Sequence, residues 1–266
     1  MPTILKVTLL LVLQMLLLFP AIAQQTALLP DTAANAPISK NKPKKEGQFP
    51  WKGLIIPTIM VGYGFAAVSS QALQDFNQHI QDQVWTNNPH DQIHLDDYLR
   101  FVPAVAVYGL NIAGVKGKNN FRDRTMILAM SSILMGGTTY TLKHTIQEPL
   151  PPEPHDMGYN SFPSGHTAEA FMSAEFLREE YAGKSAWYGV AGYACAIATG
   201  YLRLYNNQHW FSDVVAGAGI GIGSVKLSYW LYPKIRRALF KDKPVGTLIL
   251  PTYQNNTFGL CLVKKL

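Results

Sequence analysis

Residues 161–171 read SFPSGHTAEAF. Proline, serine and glycine close one element, and a histidine followed by small and apolar residues opens the next, so the stretch predicts a helix beginning around Ser164, Gly165 and His166. The first amides of a helix have no partner within it, and the macrodipole leaves partial positive charge there. Such an end attracts anions, phosphate among them. Gly165 lets the backbone approach a bound group closely, and His166 can move a proton near neutral pH. Taken alone, Pro-Ser-Gly is equally the mark of an ordinary turn with a serine cap, so a functional reading needs partners from elsewhere in the chain.

The 266-residue chain opens MPTILKVTLLLVLQMLLLFPAIAQQ. Lys6, an apolar run from Val7 to Phe19 and then Ala21-Ile22-Ala23 have the order of a secretory signal, with cleavage expected after Ala23. The alternative is a retained first membrane helix. Residues 24–50, with Pro30, Pro37, Pro43 and Pro50 and four lysines, read as a polar linker. A helical domain is expected over 51–243, and residues 244–266 form a tail with two β-like runs around Asn255-Asn256, the pattern of a short hairpin. Two cysteines, Cys195 and Cys261, give no disulfide framework. The net charge of +6 is split into short clusters between apolar segments, without the aromatic-basic pattern of a nucleic-acid binder.

Six apolar segments lie at about 51–69, 101–115, 125–142, 166–180, 186–202 and 213–232. They are too long for strands and show no alternation, so the expected fold is all-α, a six-helix up-and-down bundle. Several segments are short of the roughly 20 apolar residues that a span requires, and the fourth carries Glu169, Glu175 and Arg178. Charge placement points the other way. Lys116, Lys118, Arg122 and Arg124, then Arg178 and Lys184, then Lys234, Arg236 and Arg237 fall on one side if every segment crosses, together with Lys40 to Lys52. The acidic 71–100 stretch, read as a loop, and the PSGH loop fall on the other. A cleaved signal conflicts with a cytoplasmic start. Either the first segment is retained as an additional span or the bundle does not cross the membrane fully; membrane association is the favoured reading, and a soluble periplasmic bundle is the alternative.

The third segment ends in Lys143, within TLKHTIQEPLPP, and the fifth and sixth are joined by LRLYNNQHWFSDVV, which holds Arg203, His209 and Asp213. In an up-and-down bundle these two places and the start of the fourth segment meet on one face. A neutral imidazole attacks phosphorus when a carboxylate holds its other nitrogen, and Asp213 follows His209 by four positions. A second histidine must protonate the leaving oxygen and then activate water, and His166 suits that task. Lys143, Arg203 and the amides near Gly165 would offset charge on the phosphoryl oxygens.

Lys143, the intact PSGH at 163–166 and the run Arg203, His209, Asp213 together resemble the three-part signature of the type 2 phosphatidic acid phosphatase superfamily, which also contains class A acid phosphatases and vanadium haloperoxidases. The resemblance implies His209 as nucleophile forming a phosphohistidine, Asp213 as its orienter and His166 as general acid/base. It implies Lys143, Arg203, Ser164 and Gly165 as phosphate ligands, and neither a metal nor another cofactor. Two positions depart from the family pattern. The family's arginine, seven places after the lysine, is Leu150 here, followed by Pro151, and the serine before the third-motif arginine is Leu202. Loss of one such oxyanion donor costs about 10²–10³ in rate, and His144 and His155 are nearby candidates to replace it.

The expected activity is hydrolysis of a lipid phosphomonoester or diphosphate at the periplasmic face, by a protein of the cell envelope whose partners are its phosphorylated substrate and the membrane rather than nucleic acid. A soluble acid phosphatase, a vanadate-dependent haloperoxidase and a phosphate-binding member without turnover are the other classes the same residues allow. GAGIGIG at 217–223 follows no strand and lacks a lysine-serine ending, so it predicts close helix packing rather than a phosphate loop. His90, Asp91, His94, Asp96 and Asp97 in NPHDQIHLDDYLR have a metal-binding composition, but a solvated loop is the expected reading.

Overall fold

The computed structural model describes residues 49–88, 90–152, 160–240, 247–254 and 257–264. The leader expected at 1–23, nearly all of the linker and His155 lie outside the described residues. The predicted helix at PSGH is present as Gly165–Tyr181 and lies at the centre of the molecule. In chain order the described helices are α1 (Trp51–Ser69), α2 (Gln71–Gln81, ending in one π turn over Asp82–Thr86), α3 (Asp96–Leu99), α4 (Val102–Ile112), α5 (Phe121–Thr145), α6 (Gly165–Tyr181), α7 (Trp187–Tyr205) and α8 (Phe211–Phe240). Strands β1 (Thr247–Gln254) and β2 (Thr257–Lys264) pair antiparallel, with Gln254 opposite Thr257.

Six of these helices coincide with the six apolar segments, but the 71–100 stretch is not the loop expected from its polarity. Its first part is helical as α2 and its last part forms the short α3. Asn77 of α2 explains why a polar segment folds here. Its side chain donates to Ser212 Oγ at 2.8 Å and accepts from the Ser212 amide at 3.1 Å, so it is buried with both ends satisfied.

α6 packs on α4, α5, α7 and α8, while α8 also holds α1 and α5. This central position explains the charges in the fourth segment. Glu175 is fully buried, and it is held by Arg178 at 2.7 Å, by Lys226 Nζ at 2.6 Å and by the Tyr193 hydroxyl at 2.6 Å. Glu180 accepts from Tyr229 at 2.6 Å and faces Arg124 at 3.6 Å. Burying a carboxylate is costly unless it is paired and hydrogen-bonded, and here neighbouring helices supply both. The helix is polar because it sits inside other helices.

Close approach to α6 depends on the glycines of α8. A Cβ at Gly217 would stand 2.5 Å from the Ser164 carbonyl oxygen, and one at Gly221 would overlap the Ala168 carbonyl oxygen. Gly219, on the other face, meets the Pro57 carbonyl of α1 at 2.7 Å in the same sense. GAGIGIG is thus a packing seam, as its sequence context predicts. Gly221→Ala is expected to destabilise the fold by about 1–3 kcal/mol, read as a lower unfolding midpoint of the detergent-solubilised protein. An unchanged midpoint would show that the seam tolerates a wider spacing.

Among the described residues, several helices carry large apolar side chains on their outer faces. Trp51, Ile55, Ile56 and Ile59 of α1, Val105 and Ile112 of α4, Ile133 of α5 and Val190 and Ile197 of α7 are all exposed. Trp51–Ser69 and Phe211–Arg237 are long and apolar enough to cross a membrane.

Candidate active site

The C-terminal ends of α5 and α7 and the N-terminal ends of α6 and α8 carry the predicted site residues. α7 stops in a defined way. Asn207 takes a left-handed conformation (φ 53°), the Gln208 amide donates to the Arg203 carbonyl at 2.9 Å and the Asn207 amide to the Leu204 carbonyl at 3.0 Å. This is a Schellman ending with asparagine in the place glycine usually takes. It turns the chain back so that His209 comes to lie beside Asp213. The Asn207 side chain is anchored as well, donating to the Pro152 carbonyl at 2.8 Å and accepting from Gln81 at 3.0 Å.

Asp213 is in the first turn of α8 and is fully buried. Its Oδ2 accepts from the Trp210 amide at 3.0 Å, which caps the helix, and from Ser161 Oγ at 2.5 Å. The same oxygen lies 3.4 Å from His209 Nδ1. His209 is itself buried, and burial pushes its pKa down to about 4, against the pull of Asp213, while the positive charges of Arg203 and Lys143 lower it further. The imidazole is neutral through the physiological range. Four predicted residues therefore act on one another directly.

The start of α6 closes on this dyad. The Ser164 amide donates to the Asp213 carbonyl at 3.1 Å, and its buried hydroxyl lies 3.0 Å from Thr167 Oγ1. The amide, carbonyl and hydroxyl of Ser164 all have partners within the protein, so it shapes the helix end. The Gly165 amide, first in the helix, has no acceptor within it. Lys143 Nζ donates to the carbonyls of Asn160 at 2.5 Å and Ser161 at 3.2 Å. These bonds hold the Lys143 ammonium against the segment that leads into PSGH.

Two carboxylates that the motif spacing did not predict complete the site. Arg203 Nη1 donates to the buried Asp96 at 2.7 Å, and His166 Nε2 lies 2.9 Å from Asp97 Oδ1. The hydrogen bond from His166 holds the Asp97 carboxyl below the usual carboxylate range, and Arg100 and Arg203 add to that. The acidic run was visible in the sequence, but only α3 brings its two carboxylates to the arginine and histidine. Asp96, Asp97 and His166 each place a ligand atom within 4.8 Å of the others, yet Arg203 and His166 already engage both carboxylates. His90 is drawn away, its ring stacked on Tyr205 with Nε2 2.8 Å from the Tyr205 carbonyl.

Of the residues considered as a replacement for the missing guanidinium, His144 is exposed and tied to the Tyr140 carbonyl at 2.8 Å. Arg100 instead supplies a cation on the Asp97 and His166 side, held by the Asp97 carbonyl at 3.1 Å and Glu169 at 3.5 Å.

Residues 124–237 match the PAP2 superfamily. The lipid A 1-phosphatase of Porphyromonas gingivalis is 37% identical over 153 residues, 57% of this chain and 33% of that protein. The bacitracin transport permease protein BcrC of Bacillus licheniformis is 37% identical over 76 residues, 29% of this chain and 36% of that protein. The chain thus spans about a third of the length of these curated relatives. Among solved structures, Aquifex aeolicus LpxE is similar at 23% identity and a TM-score of 0.41, over 65% of this chain and 93% of that one. A transmembrane PAP2 type phosphatidylglycerolphosphate phosphatase from Bacillus subtilis is similar at 17% identity and a TM-score of 0.43, over 68% and 98%.

Proposed function

We propose that this protein is a lipid phosphatase that works through a phosphohistidine. The observation that carries the reading is the neutral, buried His209 held at Nδ1 by Asp213, with Arg203 and Lys143 near enough for their charges to act on it. With Nδ1 engaged, Nε2 of His209 is the nitrogen that meets phosphorus. It forms the P–N bond as the bond from phosphorus to the leaving oxygen breaks. His166 protonates that oxygen through Nδ1, since Asp97 holds its Nε2. Water then gives its proton to His166, attacks phosphorus and breaks the P–N bond. Asp213 supports the imidazolium character that His209 gains, and Lys143, Arg203 and the Gly165 amide stabilise the phosphoryl oxygens.

Lipid as the substrate is supported by the apolar outer faces of α1, α4, α5 and α7, and by the relative named for lipid A. We read the helices as a six-helix membrane bundle. Lys118, Arg124, Lys184 and Arg236 lie toward the helix ends opposite the site, so the positive-inside tendency turns the site to the periplasm.

The test is phosphate release by the protein in detergent, without added metal, across lipid phosphomonoesters, lipid diphosphates and small soluble esters. Release from the lipids is expected, and no release from any member would overturn the reading. Preference for the soluble esters, with extraction from membranes by a carbonate wash, would favour a soluble acid phosphatase. The rate is also expected to fall on the acid side only as pH drops through about 4, because protonating His209 removes the attacking lone pair. An acid limb centred near the ordinary histidine value would show that the imidazole is not held neutral.

A further inference from the structure

The residues assigned so far leave two buried oxygens without a partner on the far side of the dyad. Asp213 Oδ1 and Glu148 Oε2 are both sequestered from solvent and have no hydrogen-bond partner. Unpaired buried oxygens are rare, and each costs its desolvation. Glu148 is fixed in place, because its carbonyl accepts from the amides of Asn160 and Ser161, both at 3.1 Å. Ser161 is also the residue whose hydroxyl bonds Asp213 Oδ2. A single backbone anchor thus sets both carboxyls.

We propose that Glu148 is a positioning residue for the catalytic dyad, carrying its proton in the resting protein and donating it from Oε2 to Oδ1 of Asp213. The proposal rests on the phosphohistidine reading for its kinetic consequence, but not for the bond itself. One proton satisfies both orphaned oxygens. It also leaves Oδ2 of Asp213 to Ser161, the Trp210 amide and His209, so the carboxylate cannot swing away from the nucleophile.

The surroundings favour the neutral acid. Asp213 of α8 is the charged group that faces Glu148, and α2 presents Gln74, Asn77 and Gln78, none of which titrates. Lys143 is close enough for its charge to interact with Asp213. Burial, with the negative charge of Asp213 added, raises the Glu148 carboxyl to about 8. A cavity of about 230 Å³, lined by Glu148, Gln147, Trp210 and the α2 amides, gives it a route to solvent protons. Above that pH an ionised Glu148 would set a second negative charge against Asp213, and the rate would fall.

Glu148→Gln keeps a donor but cannot ionise, whereas Glu148→Ala removes the donor. For Glu148→Gln, kcat is expected to remain within a few-fold of wild type while the alkaline fall near pH 8 disappears. For Glu148→Ala, kcat is expected to drop roughly 10–100-fold, with KM unchanged because Glu148 does not touch the substrate. If Glu148→Gln is as slow as Glu148→Ala, or if the alkaline fall persists in Glu148→Gln, the proposal is wrong. Difference infrared spectroscopy reads the bond without turnover. Wild type at pH 7 should show a protonated-carboxyl band that Glu148→Gln lacks, and an absent band would overturn the proposal. If the band is present in a protein that hydrolyses no phosphate, the functional reading fails and the Glu148–Asp213 bond stands.

Discussion

His209→Ala is expected to abolish phosphate release, with a loss on the order of 10⁴-fold or more, as when other enzymes lose their attacking group. The substitution deletes the nitrogen proposed to form the P–N bond. His166 does not replace it, because its Nε2 is committed to Asp97 and its place is at the start of α6. A rapid acid-free quench with labelled substrate should trap phosphate on wild-type protein and none on His209→Ala. Phosphate trapped on the variant would place the nucleophile elsewhere. His166→Ala supplies the complementary outcome, since a phosphorylated protein that turns over slowly is expected when attack survives but proton transfer is lost.

Arg203→Ala is expected to have two separate effects. In its proposed role as a phosphate ligand, Arg203 supplies a guanidinium that the family pattern duplicates at a position occupied here by Leu150, so its loss should cost at least the 10²–10³ in rate typical of one oxyanion donor. As a structural residue it neutralises Asp96, which is fully buried with Nη1 at 2.7 Å. Removing one partner of such a pair leaves an uncompensated buried charge and costs about 3–5 kcal/mol. Arg203→Ala combined with Asp96→Asn should recover much of the lost stability, measured as an unfolding midpoint, but little of the rate. Recovery of both would show that Arg203 only balances Asp96, and recovery of neither would show that the pair does not hold α3 to α7.

The arrangement also explains a departure from the family pattern. Leu150 removes a cation from the segment after α5, while Arg100 adds one after α3. The site's positive charge is carried by Lys143, Arg203 and Arg100, with none at residue 150. Leu150→Arg raising the rate would indicate that this set of cations is incomplete.

Much of this molecule is written in local sequence. The six apolar segments became helices because runs of that length and composition have no other way to satisfy their backbone while burying apolar surface. The turn at Asn207 ends α7 through short-range backbone hydrogen bonds, and Lys143, Gly165, His166, Arg203, His209 and Asp213 were legible because their spacing places them at helix ends that must meet. Tertiary structure decided the rest. The polarity of 71–81 suggested a loop, and the paired bonds between Asn77 and Ser212, 135 residues apart, pin a largely exposed helix to the start of α8. The Ser164 hydroxyl, a phosphate ligand by resemblance, lies beside Thr167 Oγ1, a neighbour that only the folded helix end supplies. Asp96, Asp97, Ser161 and Glu148 carried no spacing signal, because a carboxylate or hydroxyl is recruited by whatever charge packs against it. The apolar pattern of each helix determined that helices would assemble, whereas the pairing of buried charges between them, which depends on distances across the folded chain, determined which polar residues would share the site.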